Sequence, residues 1–211
     1  MKKICLAIGT ALLLAACNGG GECIIKGSLP QETGGVYIVN EEEEVLDSCA
    51  VVDGKFALRC GRSAVEPVAL VMGEYAEPLI LVPESSSITV NIDGSQASIT
   101  GSRLSQELAG LQKWAMSAYM DYMDKIEKLY EDEENEAADA LIAERGEVIC
   151  KHCRKVFKAH KNDYVGIQAM ILMMRDLDRA EFFSLYETAG EGVKNYPMIA
   201  SYYKSFEEAK E

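Results

Sequence analysis

The sequence predicts an α+β protein, with an N-terminal antiparallel β-sandwich or barrel-like domain followed by a C-terminal all-helical domain of about five helices. Three observations carry this. Short runs rich in Val, Ile and Leu recur about every ten residues up to Thr100, the rhythm of antiparallel strands. Gly, Pro, Asp and Ser punctuate those runs. After Gly101 the apolar residues recur at steps of three and four instead, which is a helical period.

The strand candidates in order are CIIKGSL, GVYIVN, VLDSCAVV, KFALRC, EPVALVM, EPLILVP and SITVNI. Asp53-Gly54 predicts a two-residue hairpin turn, because both residues tolerate the positive φ angles such a turn needs. Pro67 and Pro78 lack a donor N–H and belong at strand starts or edges. In the second half, Leu104, Leu108, Leu111, Ala115, Ala118, Tyr122, Ile126 and Leu129 outline one long amphipathic helix. The acidic run Glu131–Glu136 interrupts it. A second helix is expected from about Glu136 to His160. Asn162 or Asp163 caps a third, and Asp178 with Glu181 opens a fourth in a capping-box pattern. Pro197 suits the first turn of a fifth.

The N-terminus reads as a leader. Lys2 and Lys3 precede an apolar run from Ile4 to Leu14, too short for the roughly 20 residues a membrane span requires. Leu14-Ala15-Ala16-Cys17 resembles a bacterial lipobox, the signal at which a cysteine is lipidated and becomes the new N-terminus. The resemblance implies a signal peptide over residues 1–16, lipidation of Cys17 and a flexible tether over 17–21. A sheet domain over 22–101 and a helical domain over 102–211 follow. Several acyl chains give stable anchoring where one gives only marginal binding. Loss of Lys2 and Lys3 takes the formal net charge from −13 to −15. So acidic a chain is a poor partner for nucleic acid or an anionic lipid surface. The membrane contact is left to the lipid.

The order CIIKGSL, VYIVN, VLDSCAVVDGKFALRC resembles the opening of an N-terminal domain of unknown function, found in lipid-anchored envelope proteins ahead of a thioredoxin-like thiol–disulfide oxidoreductase domain. PLILVPESSSITVNI and ITGSRLSQEL resemble the segments that close its sheet. NDYVGIQAM, FFSLYETAG and YPMIASYYKSFEEAK resemble the helical linker that precedes the oxidoreductase domain. In those relatives a redox Cys-x-x-Cys domain follows at about this point, whereas the sequence stops at Glu211. The resemblance therefore implies a fold, an envelope location and an accessory role. It carries over no active site.

Five cysteines remain once Cys5 and Cys17 are set aside: Cys23, Cys49, Cys60, Cys150 and Cys153. An envelope location permits disulfides, and an odd count leaves at least one free thiol. CKHC, with Cys150 and Cys153, is a candidate redox or disulfide pair. Against it, a redox cysteine is activated at a helix N-terminus, and Cys150 follows about a dozen residues of helical pattern. The competing reading packs Cys153 inward beside Ile149, Val156 and Phe157 and leaves Cys150 at the border of that face. A metal site is poorly supported. His152 points away from Cys150, and His160 lies about 10.5 Å along the axis beyond Cys153. Cys49 and Cys60 flank the Asp53-Gly54 turn but are not directly opposite in a two-residue hairpin. A bridge within the sheet domain stays open among Cys23, Cys49 and Cys60.

The acidic runs Glu41–Glu44 and Glu131–Glu136 lack the spaced ligands and turn glycine of a calcium loop and read as solvated turns. Trp114, Met116, Tyr119, Met120, Tyr122, Met123, Met170, Met173 and Met174 read as helix core, with a ligand-binding face as the alternative. Two histidines on one predicted helix give little basis for a Ser-His-Asp arrangement, and no Gly-rich phosphate loop precedes a helix. The expectation is a non-catalytic accessory or binding module in the cell envelope, anchored to the inner or outer membrane and facing the periplasm or the surface. No cofactor, metal or nucleic acid is expected, and a protein carrying a thioredoxin-like domain is the candidate partner. A thiol-redox or thiol-switch protein using Cys150 and Cys153 is the alternative, and a purely structural envelope lipoprotein the third reading.

Overall fold

A computed structural model describes residues 21–29, 34–73, 77–93 and 96–208. The predicted leader, Cys17 and most of the tether lie outside the described residues. Eight strands are described: β1 (Glu22–Ser28), β2 (Gly35–Val39), β3 (Val45–Ala50), β4 (Lys55–Gly61), β5 (Val68–Met72), β6 (Leu79–Leu81), β7 (Ser87–Asp93) and β8 (Gln96–Thr100). Six helices follow: α1 (Arg103–Glu131), α2 (Asn135–Ala159), α3 (Tyr164–Met173), α4 (Arg179–Thr188), α5 (Glu191–Lys194) and α6 (Pro197–Glu208). A 3₁₀ turn, Met174–Asp176, links α3 to α4. The protein is α+β, as predicted.

The strands form two four-stranded sheets, β4-β1-β7-β8 and β3-β2-β5-β6. Alternation along each strand aims one set of side chains inward. Cys23, Ile25, Phe56, Leu58, Ile88 and Val90 of the first sheet meet Val36, Ile38, Val68, Leu70 and Leu81 of the second in one buried cluster, as in a sandwich. Pairing is antiparallel except between β1 and β7, which run parallel. Pro67 and Pro78 stand immediately before β5 and β6, where a missing N–H is tolerated.

Asp53 and Gly54 form the predicted turn, with φ of 50° and 72°, and Val52 faces Lys55 across it. The ladder stops there. The expected hairpin is instead a corner between sheets, because β4 is captured by β1 over seven residue pairs and β3 by β2. Leu29 N–H closes the β1 pairing on the Gly54 carbonyl at 2.8 Å. Cys49 and Cys60 therefore stand in different sheets. Cys60 lies opposite Cys23, and Cys49 opposite Val36.

The helical half is built around α3, whose Tyr164, Val165, Ile167, Ala169, Met170 and Met173 are all buried. α1 and α2 pack along each other as an antiparallel pair, and the 29 residues of α1 make it about 43 Å long. The turn between them, at Asp132–Glu134, is solvent-exposed, with φ of 61° at Glu133. Beyond the reach of α3, α1 has only α2 to cover it. Met116, Tyr119 and Met120 are consequently exposed, at 64%, 44% and 53%, which corrects their reading as core. Met170, Met173 and Met174 are core, and Trp114 is half-buried. The capping box of Asp178 and Glu181 forms as predicted, and Asp163 caps α3 through the Val165 and Gly166 N–H groups. No described helix is long and apolar enough to cross a membrane.

Candidate functional site

α1 begins where the sheets end, and the junction is a buried polar lock. The Ser102 hydroxyl caps α1 by accepting from the Ser105 N–H at 2.9 Å and donates to Glu84 Oε2 at 2.6 Å. Glu84 Oε1 accepts from the Leu104 N–H at 2.9 Å, so a carboxylate sits on the positive end of α1. The Ser105 hydroxyl oxygen accepts from the Val82 N–H at 2.8 Å and its proton goes to the Val82 carbonyl at 3.2 Å. Val82 itself is part of the helical core cluster. Replacing Ser105 by alanine strips a partner from the buried Val82 N–H and is expected to cost about 1–3 kcal/mol in a urea titration. A change below about 0.5 kcal/mol would remove the lock from the account.

A second clasp crosses the same boundary. Glu41, in the loop after β2, accepts from the Tyr196 hydroxyl at 2.6 Å and the Tyr164 hydroxyl at 3.4 Å. Gln168 donates to the Tyr164 oxygen at 2.8 Å. Burial pushes the Tyr164 hydroxyl up to about 12, with the Glu41 charge adding to it. Burial, then the Glu41 hydrogen bond, raises Tyr196 as well. Glu41 is exposed, as expected of a solvated turn, and is also held by the helical half. The rest of the run does form a turn, folded over the Asn40 side chain.

Cys150 and Cys153 lie in the C-terminal half of α2, one turn apart and both buried. Cys153 packs inward, fully covered. Cys150, expected at the border, is covered too. Its Sγ lies 3.7 Å from the Met173 carbonyl, so the end of α3 and the 3₁₀ turn close over it. Burial pushes the Cys153 thiol up to about 12 and also raises Cys150, against a smaller opposing effect of Arg154. His152 leaves this face and stacks on Trp114 of α1 with ring centroids 3.6 Å apart. His160 ends α2 with Nδ1 at 2.9 Å from Asp163 Oδ2 and Nε2 at 3.5 Å from Glu107. Among the described residues no group of three His, Cys, Asp or Glu side chains converges on a metal-sized position.

Beside Cys150 runs a cleft of about 850 Å³ between α2 and the 3₁₀–α4 segment. Glu147, Lys151, Arg154, Lys155 and Lys158 line it from α2, and Asp176 and Glu181 face them from the 3₁₀–α4 segment. Arg154 and Glu181 pair across it. Spacing on a single helix could show the basic row. It could not show the acidic residues that answer it.

A thiol with a raised pKa stays neutral in the folded protein while the unfolded chain ionises near the ordinary value of 9.0. Folded stability is therefore full below about pH 9 and falls as pH rises through 9 toward 12. The expected limiting slope is about 1.4 kcal/mol per pH unit for each such group. Denaturant midpoints measured across that range check it, and Cys153→Ala should flatten the curve.

Residues 23–108 match the family model of a domain of unknown function, DUF4369. No curated protein and no solved structure matches the chain. The DUF4369 segment begins at Cys23 in β1 and ends at Leu108 in α1. It therefore takes in both sheets and the Ser102–Ser105 lock, and leaves the CKHC face of α2 outside.

Proposed function

We propose that the chain is a lipid-anchored, non-catalytic accessory module of the cell envelope, held to the inner or outer membrane through Cys17. It presents its sheets and helices to a protein partner that carries a thioredoxin-like domain. The observation that carries the non-catalytic part is the state of CKHC: both thiols are buried and both are pushed above the ordinary thiol value. A redox dithiol needs an accessible, acidified thiolate. The anchor is supported by the apolar run ending in Leu14-Ala15-Ala16-Cys17, and the partner by the resemblance of the remaining chain to the segments that precede an oxidoreductase domain.

Maleimide labelling of the native protein tests the reading. Cys150 and Cys153 should react on the order of 100-fold more slowly than in the unfolded chain, since labelling waits on local opening. For the anchor, Cys17→Ser should move the protein from the membrane fraction to the soluble one. Retention in the membrane fraction would overturn that part.

The thiol-switch reading is favoured by one observation, the position of Cys150 on the wall of a cleft that also holds Lys151 and Arg154. Fast native labelling of Cys150, with a reversible Cys150–Cys153 bridge in glutathione buffer, would replace the accessory reading with this one.

A further inference from the structure

We propose that Cys23 and Cys60 are a disulfide site that staples β1 to β4 where the tether enters the fold. Cys23 and Cys60 are direct partners in the antiparallel β1–β4 register. Two bonds fix which kind of pair they form. Arg62 N–H donates to the Gly21 carbonyl at 2.9 Å, and Leu29 N–H donates to the Gly54 carbonyl at 2.8 Å. Odd-numbered residues of β1 therefore sit in the closely bonded pairs, where Cα atoms are about 5.5 Å apart. A disulfide spans Cα separations of about 4.4–6.8 Å, so the spacing of the two strands at this pair lies within its reach.

The two side chains adjoin across the ladder, and each cysteine is the largest single influence on the other's titration. Cys23 is fully buried and Cys60 only partly, so an oxidant reaches Cys60 first. The chemistry balances with a small-molecule disulfide as oxidant. The Cys60 thiolate attacks one sulfur of that disulfide, forms a mixed disulfide and releases one thiol. The Cys23 thiolate then attacks Cys60 Sγ, forms the Cys23–Cys60 bond and releases the second thiol. Two protein thiols are oxidised and one external disulfide is reduced.

Cys49 stands opposite Val36 in the other sheet and is not a ladder partner of either cysteine. The bridge would also act beyond its own pair of strands. Between Cys23 and Cys60 the chain leaves the first sheet, builds β2 and β3 of the second, and returns as β4. One bond closes that whole excursion. The same end is already clamped, by Arg59 on Glu22 at 2.8 Å and by Arg62 Nη2 on the Glu84 carbonyl at 2.7 Å.

The full chain, equilibrated with oxidised glutathione, alkylated and digested, should yield a Cys23–Cys60 linked peptide. Oxidation should raise Tm by roughly 5–15 °C over the reduced protein. Cys49→Ser should leave both results unchanged, which keeps the test valid if Cys23→Ser or Cys60→Ser fails to fold. Cys23 and Cys60 recovered as free thiols would overturn the proposal. So would either of them linked to Cys49.

Discussion

Gly27→Val is expected to abolish folding, and Gly27→Ala to destabilise the protein by about 3 kcal/mol or more. β1 is a central strand, flanked by β4 on one side and β7 on the other. A Cβ at Gly27 would stand 1.6 Å from the Val90 carbonyl oxygen, 2.6 Å from its carbon and 3.1 Å from Phe56 Cε1. Those first two atoms are backbone, so no rotamer change relieves the contact. Relief requires β1 to move off β7, which breaks the parallel pairing that joins the strands before and after the second sheet. Urea midpoints check the prediction. Gly61→Ala is the control, since nothing lies within 4 Å of its Cβ position, and it should stay within about 0.5 kcal/mol. An alanine at 27 as mild as the one at 61 would show that the strand yields.

The same residue marks where sequence reading stops. Lys26-Gly27 is visible as the end of an apolar run, but the reason for glycine is a strand 63 positions later, with Ser28 Oγ reaching Asn91 Oδ1 beside it. Local signals were legible wherever local physics decides. Prolines before β5 and β6, the caps of Asp163 and Asp178, and the change of period after Gly101 all act within a few residues. The Asp53-Gly54 turn was legible as a turn and misleading as a hairpin, because its conformation is local while the partner of β4 is chosen by β1. β8 was missed because its largely exposed QASIT lacks an apolar run, and α5 because it is four residues long.

The candidate site divides in the same way. Helical spacing put Cys153 inward and turned His152 away from Cys150, and both placements hold. It left Cys150 at the border because one helix cannot show what covers it, here the Met173 carbonyl at the end of α3. The clasp of Glu41 by Tyr196 spans 155 positions and has no local signature at all. Nor does the seam at Glu84, Ser102 and Ser105. What composition and period convey is which residues seek burial. Which surfaces then meet is decided by shape and long-range pairing.

Phe157→Ala is the second large effect expected, a loss of about 3–5 kcal/mol. Phe157 is fully buried, among the largest such side chains, in the cluster that joins α1, α2 and α3. Truncation removes its apolar surface from the core and leaves a cavity that three packed helices can fill only in part. Phe157→Leu should recover much of the loss, because it refills most of the volume. The variant also probes the neighbouring thiol. Cys153 lies one turn back on the same face of α2, and burial is the first cause of its raised pKa. Opening a cavity beside it should let water approach, lower the thiol toward its ordinary range and speed its alkylation in the folded state. Should Phe157→Ala destabilise as expected while Cys153 stays as slow as in the parent, the protection of CKHC would have to come from α3 and the 3₁₀ turn alone, and Met173 would become the position to vary.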